Sequence, residues 1–316
     1  MPLISILIPV FNEEKNLHLL YRELTETAGT QSGYDWRFWF VDDGSTDQTP
    51  DILGELRQQD GRVNYIRLSR NFGKENAILA GLDHIRGEIC IIMDGDLQHP
   101  AAVIPEMLRR WEEGYQDVYA RRRDRNDEPW AKRTLTRLYY RLLQQSSRFD
   151  VLPDVGDFRL LDRRCVLALR QLREQQRYTK GLFAWIGYRK CEIPFDCRER
   201  HSGQSTFSLG RLFELAIDGI TSFTTSPLRI SAITGLVVSL AAFVYLCFIV
   251  VKTLVIGEAV QGFPTLVCIL LFFGGVQLLS IGILGEYVGR IFNETKRRPI
   301  YLIDHINGQT PDEENH

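Results

Sequence analysis

Apolar positions follow two different regimes along the chain. Up to about residue 200, short β-rich apolar runs alternate with stretches of helical period. Leu3–Val10, Trp36–Val41, Val63–Leu68, Glu88–Met93 and Asp117–Ala120 predict strands, and the intervals near 14–28, 48–59, 74–86 and 101–113 predict helices. Such alternation builds βαβ units and a mostly parallel sheet covered on both faces. Ligands of that architecture bind beyond the carboxyl ends of the strands. Leu3–Val10 is short, lacks a basic flank and runs directly into Asn12-Glu13-Glu14, so it reads as a strand and not as a signal peptide.

Beyond residue 225 the pattern changes. Ile230–Val251 and Ala259–Gly285 carry no charge over 22 and 27 residues, and a bilayer core needs roughly 20 apolar residues per helix. Only Lys252–Glu258 separates them, which predicts a tight transmembrane hairpin with both ends on one side. Arg211 and Arg229 precede it, and Arg290, Lys296, Arg297 and Arg298 follow it. The positive-inside rule therefore places the bulk of the chain in the cytoplasm. Ahead of the hairpin, Leu209, Leu212, Phe213, Ala216, Ile217, Ile220 and Phe223 recur at helical spacing opposite Arg211, Glu214 and Asp218, the pattern of a helix lying in the membrane interface or packed on the main domain. The predicted organisation is a catalytic domain over 1–206, a juxtamembrane amphipathic helix over 207–226, a hairpin over 227–290 and a cytoplasmic tail over 291–316. The polar end from Asp304 onward is expected to be disordered.

Charge narrows the function. With 38 Lys+Arg against 40 Asp+Glu, the net charge of -2 leaves no basic footprint for nucleic acid. Six cysteines without a CxxC pair predict reduced thiols. The chain has no GxxxxGK[ST], GxGxxG, HExxH or GxSxG signature, which argues against P-loop, dinucleotide, zincin and hydrolase chemistry.

Carboxylates cluster instead at the predicted strand ends: Asn12-Glu13-Glu14, Asp42-Asp43-Gly44-Ser45 and Asp94-Gly95-Asp96. Three acidic clusters on one sheet edge are costly unless something positive binds there. Asp94 and Asp96 offer hard oxygen ligands suited to Mg2+ or Mn2+, Gln98 can add a third, and Gly95 lets a backbone approach a ligand closely. The Asp43–Asp47 segment also has the composition of a turn with a helix N-cap.

Together with Ile8-Pro9-Val10-Phe11-Asn12-Glu13-Glu14, Val41–Ser45, Arg70-Asn71-Phe72-Gly73-Lys74 and Asp94–Gln98, these segments resemble the GT-A family 2 glycosyltransferases that use polyprenyl-phosphate acceptors. Gly156-Asp157-Phe158-Arg159-Leu160, the hairpin and Leu284–Arg290 bring the likeness closer to the bactoprenol (undecaprenyl-phosphate) glucosyltransferases, over nearly the whole chain to about Pro299. The resemblance implies a nucleotide diphosphate sugar held across the strand ends. Pro9, Asn12 and Glu13 would line the nucleoside, Asp42 or Asp43 would hydrogen-bond uracil or ribose, and Lys74 and Arg121 would meet the diphosphate. In Arg198–Ser205 a basic residue, Arg200, and the Gly203–Ser205 turn would close over phosphate, Arg200 because a guanidinium fork matches phosphate oxygens. Thr206 and Phe207 stand where the family often has a lysine. Asp157 sits where the family carries an acid near the acceptor, to position groups rather than act as base; it can equally orient Arg159.

The implied reaction is inverting, metal-dependent transfer of a hexose, glucose first, from a UDP-sugar to undecaprenyl phosphate at the cytoplasmic face of a bacterial inner membrane. Mannose or a 4-amino-arabinose derivative are the alternative sugars, and an inactive membrane scaffold is the alternative class. A processive synthase would need more spans and a QxxRW motif, which the chain lacks. Gly282, Gly285 and Gly289 recur nearly on one face of the second span and predict a homo-oligomer or intrachain packing.

Overall fold

The computed structural model describes residues 1–123, 155–175, 177–196 and 262–310, with single helical positions between 228 and 255. Two compact units emerge, 1–214 together with 298–316, and 215–297.

The first unit is built on β1 (Leu3–Val10), whose continuous apolar run is buried on both faces, as a central strand of a parallel sheet requires. Parallel β2 (Asp35–Asp42) and β4 (Ile89–Ile92) flank it, and β3 (Val63–Leu68) continues the sheet beyond β2. Helices α1 (Leu17–Thr30), α2 (Thr49–Gln59), α3 (Lys74–His84) and α4 (Ile104–Glu112, preceded by a 3-10 turn over Ala101–Val103) cross between strands. Pro50 and Pro105 sit in the first turns of α2 and α4, where no intrahelical N–H is lost. Gly81 brings α3 onto the sheet: a Cβ there would stand 2.0 Å from Leu7 Cδ1.

Three strands lay outside the predicted set. β6 (Val155–Asp162) runs antiparallel between β4 and β5 (Asp117–Arg122), and β7 (Lys190–Phe195) runs parallel to β5 at one edge. α5 (Arg163–Gln171) and α6 (Thr179–Trp185) lie between β6 and β7. At the far edge β8 (Ile303–Ile306) pairs antiparallel with β3, giving the order β7-β5-β6-β4-β1-β2-β3-β8. The expectation of disorder from Asp304 therefore fails for 304–309: that segment is strand and turn, closed by paired Ile306 and Gln309 backbones. The chain turns from β1 toward β2 on one side and β4 on the other, so the topological switch point lies between β1 and β4.

In the second unit, α7 (Phe263–Thr295) contains the one helix among the described residues long and apolar enough to cross a membrane, Phe272–Thr295. The described positions of the first apolar run are helical as far as Val255, inside the predicted link. The amphipathic segment 207–226 lies outside the described residues.

A buried ion pair ties β5 to β6. Arg159 Nη1 lies 3.1 Å from Asp117 Oδ2, both side chains nearly inaccessible, and its guanidinium caps the Phe183 ring at 3.6 Å. Removing one partner strands a buried charge, so Asp117→Ala should destabilise the domain by about 3–5 kcal/mol, whereas the paired change Asp117→Leu with Arg159→Met should recover most of it. Denaturant unfolding of the purified protein checks both; equal losses in the two variants would contradict this account.

Candidate active site

Register brings the first two acidic residues together. Ile92 pairs with Arg159 across the antiparallel β4–β6 ladder, and the same register carried two residues on sets Asp94 opposite Asp157. Like charges facing each other destabilise a strand pair. The compensation is Lys74, the first residue of α3, whose Nζ lies 2.7 Å from Asp94 Oδ1 and 2.5 Å from Asp157 Oδ2. Burial opposes its charge, but the two carboxylates outweigh that and raise the Lys74 pKa. Burial likewise works against the Asp157 carboxylate, and Lys74 with Lys180 overcomes it and lowers its pKa. The Lys74 side chain is 41% exposed and that of Asp157 9% exposed, so the lysine stem lies on the outer side of the pair while its ammonium is held between the two carboxylates.

Around this cluster three loops interlock. Both Asp43 oxygens accept backbone N–H groups from the next loop, Phe72 at 2.7 Å and Gly73 at 2.9 Å. Gly44, at φ +72°, lies against that loop so closely that a Cβ would stand 2.5 Å from the Arg70 carbonyl carbon. Asp42 Oδ1 accepts the Ser45 N–H at 2.8 Å, and its Oδ2 lies 3.5 Å from Arg67 Nε without a hydrogen bond. Burial raises the pKa of both aspartates, most directly at Asp42. Asn12, at φ +56°, donates its N–H to Ser45 Oγ and accepts the Thr46 N–H at its Oδ1, both at 2.9 Å. Glu13 donates its N–H to Thr49 Oγ1 at 2.9 Å and accepts from Asn16 Nδ2 at 2.6 Å. Pro9 is buried in β1 opposite Val41, and a Cβ on Gly95 would meet Val10 Cγ1 at 3.0 Å. The structure thus brings Pro9, Asn12, Glu13, Asp42 and Asp43 together as a laced frame at the ends of β1 and β2.

Asp96 Oδ1 accepts the Gln98 N–H at 3.1 Å across Leu97, whose φ is +63°. Gln98 Oε1 accepts from Arg122 Nη2 at 3.0 Å. Arg121, on the opposite face of β5, pairs instead with Glu192 Oε2 at 3.3 Å, and no described bond links it to the Lys74 cluster. Arg200 and Ser205 lie outside the described residues. Arg159 is oriented by Asp117, not by Asp157.

Three participants were not singled out from sequence. His99 accepts the Asp94 N–H at Nδ1, 3.1 Å away, with its ring stacked 4.9 Å from Phe158; burial lowers its pKa, which favours the neutral ring. Glu75 accepts the Thr179 N–H at 3.1 Å and fixes α6 to the first turn of α3. Arg122 is the third. Only His99 had a signal in the sequence, its place directly after Gln98.

Among the described residues no three His, Cys, Asp or Glu side chains converge into a metal cage. A Mg2+-type ion needs fewer protein ligands, because substrate phosphates and waters complete its shell. The hard carboxylate oxygens of Asp94 and Asp96 are of the type such an ion takes, although Asp94 Oδ1 is ion-paired with Lys74 at 2.7 Å.

The mostly parallel sheet, with acids and a lysine at its strand ends, is a GT-A fold, and comparison with known proteins shows a glycosyltransferase. The glycosyl transferase family 2 profile matches residues 5–169 and the GtrB C-terminal hairpin profile matches 226–291, so the chain belongs to glycosyl transferase family 2. It is 41% identical over 305 residues to an uncharacterized glycosyltransferase of Synechocystis sp., covering 96% of each chain. It is 43% identical to the putative glycosyltransferase CsbB of Bacillus subtilis, covering 96% of this chain and 92% of that one. The prophage bactoprenol glucosyl transferase homolog of Escherichia coli is 40% identical, with 96% and 99% covered. Among solved structures, a mannosyltransferase from Pyrobaculum calidifontis in complex with GDP-Man and Mn2+ is 18% identical, with a TM-score of 0.43 over 65% of this chain and 58% of that one.

Lys74→Ala should leave Asp94 and Asp157 facing each other without their cation. We expect kcat/KM to fall at least about a hundredfold, the scale typical of a removed electrostatic contact, with the circular dichroism spectrum unchanged. Wild-type rates in a folded Lys74→Ala enzyme would remove Lys74 from the site.

Proposed function

We propose that this glycosyltransferase moves a hexose, glucose in the first place, from a UDP-sugar to undecaprenyl phosphate with inversion, at the cytoplasmic face of a bacterial inner membrane. The observation that carries this reading is the Asp94–Lys74–Asp157 cluster at the switch point of a family 2 domain whose chain continues into a GtrB-type hairpin. The bactoprenol glucosyl transferase name of a 40% identical relative supports the acceptor and the sugar.

Few protein groups are needed for the step. A phosphate monoester has its second pKa near 6 and is largely a dianion at neutral pH, so the lipid phosphate is already a competent nucleophile. It attacks the anomeric carbon opposite the departing nucleotide diphosphate, which inverts that centre. Lys74 is assigned to the diphosphate, while Asp157, ion-paired and buried, positions that ammonium rather than taking a proton. Pro9, Asn12, Glu13, Asp42 and Asp43 form the nucleoside wall; Gly95 lets the β4 loop approach the donor; Arg121, Arg200 and Ser205 are assigned to phosphate. Asp94, Asp96 and Gln98 would hold Mg2+ or Mn2+, which neutralises charge on the leaving diphosphate.

Topology supports the membrane arrangement. β3 precedes the apolar segments and β8 follows them, yet both lie in one sheet. Both strands in one sheet support an even number of crossings between them, and with α7 as one span the first apolar run is the candidate for the second. A nucleotide-sugar donor is in keeping with a sheet on the cytoplasmic side.

Membranes containing the protein, given labelled UDP-glucose and undecaprenyl phosphate, should form a lipid-linked glucose, and EDTA or Asp96→Ala should reduce it at least about a hundredfold. Product formation only from another nucleotide sugar would overturn the choice of glucose, and full activity of Asp96→Ala in EDTA would overturn the metal.

We also infer a homo-oligomer through α7. Around Gly282, Gly285 and Gly289 no described atom lies within 4 Å of where a Cβ would stand, leaving a face on which another helix can approach. Mass measurement in mild detergent should show an oligomer for the wild type and a folded, smaller species for Gly285→Leu. A wild-type monomer at every concentration would leave only packing within one chain.

A further inference from the structure

The segment that follows α7 does more than end the chain. β8 covers the edge of β3 with a short, charged strand, and its contacts concentrate at both ends of that pairing. The Ser69 N–H donates to Leu302 O at 3.0 Å, directly before the 70–73 loop. At the other end Asn307, at φ +52°, accepts the Tyr65 N–H at Oδ1 (2.9 Å), donates its own N–H to Tyr65 O (2.9 Å) and donates from Nδ2 to Asn64 Oδ1 (3.2 Å). Tyr301 OH donates to Asp83 Oδ2, and Arg173 grips the same carboxylate at 2.6 Å, which anchors the strap to the last turn of α3. The register irregularity of the β3–β8 pair falls between Arg67 and Leu68, and Arg67 is the residue whose Nε approaches buried Asp42.

These contacts converge on the nucleoside wall. The 70–73 loop that leaves β3 at Ser69 supplies both N–H groups held by Asp43, and it seats Gly44. α3, pinned at its C-terminal turn by Tyr301, presents Lys74 at its other end. We propose that residues 301–307 are positioning residues for the donor nucleotide: they hold β3 and α3 so that the Asp43-bound loop and Lys74 meet a nucleoside diphosphate. The inference rests on the transferase reading above.

The test uses the full-length protein in detergent or nanodiscs, with UDP as the probe. Tyr301→Phe with Asn307→Gly removes the Asp83 bond and the Asn307 side-chain bridge, while glycine keeps the left-handed backbone at 307. We expect the UDP dissociation constant and the donor KM to rise at least about fivefold, with kcat and the KM for undecaprenyl phosphate unchanged. Hydrogen exchange at the Phe72 and Gly73 amides should accelerate in the variant. If the double variant does not fold, Asn307→Gly alone is read the same way. A folded variant that binds UDP as tightly as wild type, or a lowered Tm with unchanged donor KM and unchanged exchange at Phe72 and Gly73, would make the strap a staple only and overturn the inference. A wild-type protein that binds no UDP would overturn the transferase reading instead.

Discussion

Two carboxylates facing each other across an antiparallel ladder are the constraint around which this domain is arranged. Asp94 follows β4 and Asp157 is the third residue of β6, and the β4–β6 register continued two residues past Ile92 sets the two acids opposite one another. Lys74 lies between them because α3 starts there. A lysine held by two acids keeps its charge at neutral pH and in a fixed place, unlike a flexible surface side chain. The arrangement has a cost: Asp157 Oδ1 is buried without a hydrogen-bond partner.

The frame beside this cluster shows how one acidic motif serves structure and binding at once. Asp43 spends both oxygens on backbone N–H groups of the 70–73 loop, and Asp42 turns one oxygen to Ser45. The Asp43 bonds join loops that are distant in sequence, the Asp42–Ser45 bond closes the turn between them, and a glycine at 44 leaves room for the 70–73 loop to lie close. The frame at the ends of β1 and β2 is therefore preorganised by its own hydrogen bonds. A frame assembled in advance would spare a ligand bound there the ordering entropy that a loose loop imposes.

The first four strands and four helices were legible because each carries its own signal: apolar runs buried on both faces, or an apolar stripe at helical spacing. β6 carries none. Its Asp157 and Arg159 interrupt the apolar pattern, and they are affordable only because Lys74 and Asp117 meet them in space. β8 was missed for a related reason: four residues with two charged or titratable side chains form a strand only where β3 offers unpaired backbone groups. At the site, residue types were legible and partnerships were not. Asp94, Asp96 and Lys74 stood out by chemistry, but nothing in their spacing pairs Lys74 with Asp157. Arg121 and Arg122 illustrate the limit. Successive strand residues face opposite sides, so one neighbour reaches Glu192 and the other reaches Gln98, and only the register of β5 decides which.

Closure of the sheet by β8 also bears on how such an enzyme meets its acceptor. A polyprenyl phosphate keeps its reacting group at the headgroup level, so a transferase acting on it gains from being confined there. A domain hung from one flexible linker would explore a large volume and present its site in many orientations. Here the chain enters the apolar segments from the sheet and returns to the same sheet, so both ends of the hairpin are covalently joined to one folded unit. A second tether restricts the accessible arrangements and raises the effective concentration of site and membrane-bound phosphate without any new contact to the substrate. For a nucleophile that needs no general base, confinement and alignment are the larger share of what a protein can contribute, and on the function proposed above the hydrogen-bonded strand after α7 would be the means of confinement.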